Sequence, residues 1–188
     1  MPSDPTAPVT FALLCLVLVV AAWTDVRTGL IYNWLTLPAM ALGLVWSALA
    51  GAYNAGWAGA GQGLGGSFVG LLAGLVPCAL LVLSVGLGAG DAKLMGAVGA
   101  LTASWQCVME TLIHAFLVSL LLALVVMIRH RIVMRTLGRL LGAAMLAASR
   151  VKPNIPQDSP RVPFALAIAV GGLISGSHLL LGVRWPWL

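Results

Sequence analysis

Between Gln106 and Ile128 the chain reads QCVMETLIHAFLVSLLLALVVMI. From Ala115 onward this stretch holds a single polar residue, Ser119. A run this long and apolar matches the ~20 residues a helix needs to cross a bilayer core of about 30 Å. In lipid the backbone polar groups must be satisfied within the segment, so a helix is the expected form. A spanning strand would be about half as long and would alternate in polarity, which these residues do not. Five further apolar runs accompany it, near 8–24, 34–51, 62–84, 92–105 and 163–183. The run at 92–105 is short. Ser104-Trp105-Gln106, between it and the next, fits either a tight turn or a long broken hairpin.

The composition agrees with lipid as the main solvent. Hydrophobic residues make up 61% of the 188 and charged residues 8%, against roughly 25% charged in a soluble domain. The mean hydropathy is +1.04. The expected fold is therefore all-α: a polytopic membrane bundle of six transmembrane helices forming one domain over 1–188. The N-terminus, Met1-Pro2-Ser3-Asp4-Pro5, lacks the basic start of a secretory signal, so the first run reads as a retained span.

The formal net charge is +5, yet no basic platform interleaved with aromatics is present, and nucleic acid is not an expected partner. The basic residues set orientation instead. With six spans, Arg27, Lys93, Arg129, Arg131, Arg135, Arg139, Arg150, Lys152 and Arg161 share one side, and Arg184 alone falls on the side of the termini. Both termini are therefore expected outside, with the basic loops in the cytoplasm. In segment 129–152, Arg131, Arg135 and Arg139 repeat every four residues opposite Leu137, Leu141 and Met145. That pattern predicts a cytoplasmic amphipathic helix on anionic lipid, within a basic loop over 129–161. The proline-rich connector 152–160 follows it. Cys15, Cys78 and Cys107 lie in or beside apolar runs without a C-x-x-C pair, so neither a metal site nor a disulfide framework is expected.

Acidic residues are scarce: Asp4, Asp25, Asp91, Glu110 and Asp158. Asp4 and Asp158 lie in polar, proline-containing stretches and read as solvated. Glu110 stands four residues before His114 on one helical face, which admits a proton relay. The plainer reading is a Glu capped by a neighbour, with His178 of the last span as candidate. Asp25 closes the first span and Asp91 opens the fourth, which puts both carboxylates at one cytoplasmic depth. Two carboxylates brought together tend to share one proton. One can then act as base on a water while the other protonates a carbonyl oxygen, which is aspartic-protease chemistry. No P-loop and no G-x-S-x-G offers another chemistry. Gly86, Gly88 and Gly90 precede Asp91 and predict loosely wound backbone that an extended substrate could approach. A small proton-coupled transporter or channel using Asp25, Asp91, Glu110 and His114 is the alternative, and it requires carboxylates spread through the membrane depth.

Gly88-Ala89-Gly90-Asp91-Ala92-Lys93-Leu94 resembles the G-x-G-D-x-K-L signature of the type IV prepilin leader peptidases. Asp25-Val26-Arg27-Thr28-Gly29-Leu30-Ile31-Tyr32-Asn33 resembles their D-x-R-x-x-x-I-P-N signature, with Tyr32 in place of the proline. Arg161-Val162-Pro163-Phe164 is similar to the start of their last span. The resemblance implies an aspartic endopeptidase of the bacterial inner membrane with Asp25 and Asp91 as catalytic pair. Arg27, Asn33, Gly88, Gly90, Lys93 and Pro163 would support the site or bind substrate. It implies prepilin or pseudopilin substrates, cut after a glycine before the apolar helix of the mature pilin, with no cofactor and no metal. It also implies the short, peptidase-only branch found with Flp/Tad-type pili, without methyl transfer. Presenilin-like proteases resemble this chain only around Asp91.

Overall fold

The computed structural model describes residues 5–85, 88–129 and 164–183. Regular structure among them is entirely helical: α1 (Ala7–Thr28), α2 (Asn33–Val85), α3 (Ala89–Thr102), α4 (Trp105–Arg129) and α5 (Phe164–Leu181). By length and composition, α1, α2, α4 and α5 can each cross a membrane. The chain divides into two compact units, Met1–Val118 with Pro163–Leu188, and Ser119–Val162. Of the second unit, only the last turns of α4, residues 119–129, are described. The amphipathic helix expected at 129–152, the connector behind it and Pro163 lie outside the described residues.

Helix α2 covers both runs expected as the second and third spans. A straight helix of 53 residues would reach roughly 80 Å, more than twice the bilayer core. The backbone leaves helical geometry at Ala55 and at Gly56 (φ 63°, ψ −151°). Only glycine adopts the latter conformation without strain. The break separates two arms, 33–54 and 57–85. They close tightly on each other, because a Cβ at Gly63 would meet the Ser47 carbonyl and one at Gly51 the Gly59 carbonyl.

Helix α3 is the hub of the first unit. Its 14 residues span roughly 21 Å, and every residue from Leu94 to Thr102 is buried. It packs against α1, α2 and α5. Lipid offers no hydrophobic drive between helices, so close approach of small residues does the work. On the second arm of α2, Gly66, Gly70 and Gly74 recur every four residues and face Ala103, Gly99 and Met95 in turn. On the first arm, Gly43 faces Ala100 and Leu101. The hydroxyls of Ser47 and Ser67 both donate to the Ala100 carbonyl, at 3.2 and 2.6 Å. The two arms of α2 are thus tied to one point of α3.

Between α3 and α4 the break is short. Ala103 takes a left-handed conformation (φ 49°) and donates its N–H to Gly99, and α4 begins at Trp105. Of the two sequence readings, the tight turn is the observed one. Helix α5 lies along α1 and meets α4 at Gly171, where a Cβ would strike the Thr111 carbonyl.

Candidate active site

The last turn of α1 carries Asp25. The helix ends at Gly29 (φ 65°), whose N–H bonds the Asp25 carbonyl at 2.8 Å. Asp91 lies in the first turn of α3, which Gly88 caps in an extended conformation. The two carboxylates are half-buried and close enough to act on each other electrostatically. The structure thus places the two aspartates singled out by sequence within electrostatic reach of each other.

The flanking residues meet in the same order. Ile31, in the connector after α1, packs where a Cβ of Gly90 would stand, 2.9 Å from the Ile31 Cβ. Asn33 Oδ1, at the start of α2, accepts a hydrogen bond from Lys93 Nζ at 2.8 Å. The segments 25–33 and 88–94 therefore touch at two successive points, Ile31 with Gly90 and Asn33 with Lys93, and Asp25 lies within electrostatic reach of Asp91. Lys93 thereby ties the start of α3 to the first residue of α2. Arg27 stacks over the Trp23 ring at 4.2 Å. Leu94, the last residue of its motif, is a fully buried core residue.

The glycines correct one expectation. Backbone at Gly90 is helical, within the first turn of α3, and not loosely wound. Its lack of a side chain admits Ile31. A Cβ at Gly88 would lie 2.7 Å from Asp91 Oδ2, so glycine there leaves room for the carboxylate.

Two residues that the sequence reading did not assign to the site lie beside the aspartates. The backbone N–H of Ala165, in the first turn of α5, donates to Asp25 Oδ2 at 3.0 Å. Cys78 on α2 is fully buried and within electrostatic reach of Asp91. Cys78 could have been found by counting along the glycine stripe, since it stands four residues beyond Gly74. No sequence signal marks Ala165, because its contribution is a main-chain group. A cavity of about 300 Å³ opens between α2 and α3, lined by Leu75, Ala79, Val82, Ala89, Ala92 and Lys93, with neither aspartate among its lining residues. Its walls would suit an apolar side chain.

Glu110 is elsewhere. Its Oε2 lies 3.4 Å from His178 Nδ1 on α5, the plainer of the two sequence readings. His114 contacts the Glu110 carbonyl oxygen at 2.7 Å and Ser175 Oγ at 3.4 Å, so no side-chain relay joins Glu110 to His114. Among the described residues no group of three or more His, Cys, Asp or Glu is arranged to hold a metal ion.

Compared with known proteins, residues 12–128 match the model of the Type IV leader peptidase family. The match includes both aspartates and both motif segments, and covers more than half of the chain. No curated protein and no solved structure matched.

Proposed function

Since this chain belongs to the type IV leader peptidase family, and is thereby a membrane peptidase, we propose that it is an aspartic endopeptidase in which Asp25 and Asp91 activate one water molecule against a peptide bond. The observation that supports the proposal is that two half-buried carboxylates, one from the end of α1 and one from the start of α3, lie within electrostatic reach of each other. Two such groups share a proton, and the ionised member takes a proton from water as the water attacks the carbonyl carbon. The protonated member gives its proton to the carbonyl oxygen. Collapse of the tetrahedral intermediate then breaks the C–N bond, with a proton delivered to the leaving amine.

Prepilins or pseudopilins are the proposed substrates, with the basic leader on the cytoplasmic side. In the proposed topology the chain is one peptidase domain in a bacterial inner membrane. It has six crossings if the two arms of α2 count separately and α3 counts as a short one. On sequence grounds alone, residues 129–161 are proposed to be a basic loop against anionic cytoplasmic lipid, and 130–161 lie outside the described residues. Pro163 and Arg27 belong to the supporting set on sequence grounds. Activity is confined to proteolysis: the three cysteines form no C-x-x-C pair, and the new pilin terminus is expected to carry no added methyl group.

The test is co-expression with a candidate prepilin, followed by intact mass of the product. The expected result is a shortened pilin with an unmodified N-terminus. Unprocessed prepilin with every candidate pilin encoded beside this chain would count against the peptidase reading.

A further inference from the structure

The bond from Ala165 N–H to Asp25 Oδ2 joins residues 140 positions apart. Ala165 is the second residue of α5, and an N–H in the first turn of a helix has no partner within that helix. An acceptor from outside is needed, and here a reacting carboxylate supplies it.

The contact is built into the seam between α1 and α5. Gly172 of α5 faces Leu18 of α1, and Gly176 faces Leu14 and Phe11. Stepping back seven residues from Asp25 reaches Leu18, and stepping forward seven from Ala165 reaches Gly172. Four more in each direction reach Leu14 and Gly176. The two helices are thus antiparallel in one unbroken register, with equal rise per residue on both sides. Leucines set into glycine notches, two and three turns along, fix the height of α5. That height puts its first-turn amide against Asp25.

We propose that the N–H of Ala165 is a positioning group of the active site, which holds Asp25 by Oδ2 so that Oδ1 is presented to the attacking water. The inference rests on Asp25 being one of the two reacting carboxylates. A carboxylate joined to Cα through Cβ turns about two bonds, and Oδ2 is its only tie to another residue among the described ones. Releasing that tie lets the carboxylate swing, and a misplacement of about 1 Å can cost roughly 100-fold in rate. The N–H is spent on Asp25 Oδ2, so its loss should lower turnover without weakening substrate binding.

The test replaces the amide preceding the Ala165 Cα by an ester, through incorporation of lactic acid at position 165 during cell-free synthesis into vesicles. The side chain is unchanged and only the donor is lost. A matching ester at Val170, on the partly exposed stretch of α5, controls for the loss of any helix amide. The expected result is a kcat lowered roughly 10- to 100-fold at position 165, with KM within about threefold and the Val170 ester unaffected in kcat. Ala165→Pro removes the same N–H by simple mutation. Proline is tolerated in the first helical turn, and the same kcat loss is expected. A 165 ester whose kcat stays within about twofold of the unmodified protein overturns the proposal, as does a loss confined to KM. A cap that served stability alone would lower the unfolding temperature and leave kcat intact, which also overturns it. If Asp25→Ala still cleaves, the dyad itself has failed. If Asp25→Ala is inactive while the ester is normal, only the role of Ala165 has.

Discussion

Replacing Gly99 by alanine should part α3 from α2. A Cβ there would overlap the Gly70 carbonyl oxygen and lie 2.9 Å from the Leu71 nitrogen, where ordinary contact begins at 3.4 Å. Every obstructing atom is backbone, so no side chain can turn aside. Overpacking of this kind costs about 1–3 kcal/mol, and alanine in a helix returns about 0.5–1 kcal/mol relative to glycine. A net loss of about 1–2 kcal/mol remains, which for a chain of this size lowers the unfolding temperature by about 2–8 °C. Gly61, on the same arm of α2, is the control: a Cβ there meets nothing within 4 Å, and Gly61→Ala should hold or raise stability. The assay is thermal unfolding in one detergent, followed by tryptophan fluorescence, together with prepilin cleavage at a temperature where both variants are folded. Asp91 lies two turns before Gly99 on the same helix, so Gly99→Ala should also slow cleavage. If Gly99→Ala is as stable and as active as Gly61→Ala, the glycine crossing does not set the position of Asp91.

Asn33→Leu removes the acceptor held by Lys93 and should lower kcat/KM by roughly three- to tenfold, at the low end for a charge-assisted bond because the pair is exposed. Asn33→Asp keeps an acceptor and should retain activity. The hydroxyl of Thr36 is fully buried with no partner among the described residues, so Thr36→Val, which keeps the shape, should raise stability by up to about 2 kcal/mol. A lower unfolding temperature would show that the hydroxyl has a partner. Glu110→Gln and His178→Ala break a partly exposed pair worth at most about 1 kcal/mol. Cleavage should be preserved in both, and its loss would restore Glu110 to the chemistry.

The helices were legible because 20-residue apolar runs in lipid admit little else, and the two aspartates because acidic residues are scarce in this chain. The run at 34–51 and that at 62–84 are continuous through most of the intervening stretch, since Ala-Gly-rich sequence there carries no strong stop except at Gly56. The glycine stripe Gly66, Gly70, Gly74 is periodic in sequence, but its partner on α3 depends on a fold that periodicity alone does not supply. The pairing of Asn33 with Lys93 and of Ile31 with Gly90 had no local signal, because each joins residues some 60 positions apart. The same holds for Ala165, where the working group is an amide every residue possesses. Gly90 was misjudged for a physical reason: glycine marks close approach as readily as irregular backbone, and here Ile31 makes the approach.

The central claim is that Asp25 and Asp91 act as one catalytic pair, and single carboxylate-to-amide replacement tests it most directly. Purified protein in vesicles would be given a synthetic prepilin, and the initial rate of leader release measured for Asp25→Asn and Asp91→Asn at equal folded concentration. Each substitution keeps the shape and removes the ability to take or hold the shared proton. The account predicts loss of at least about 1,000-fold in kcat for either variant alone, with no deeper loss when both are combined, as expected of groups that act as a unit. Leader release by either single variant within tenfold of the native rate would contradict it.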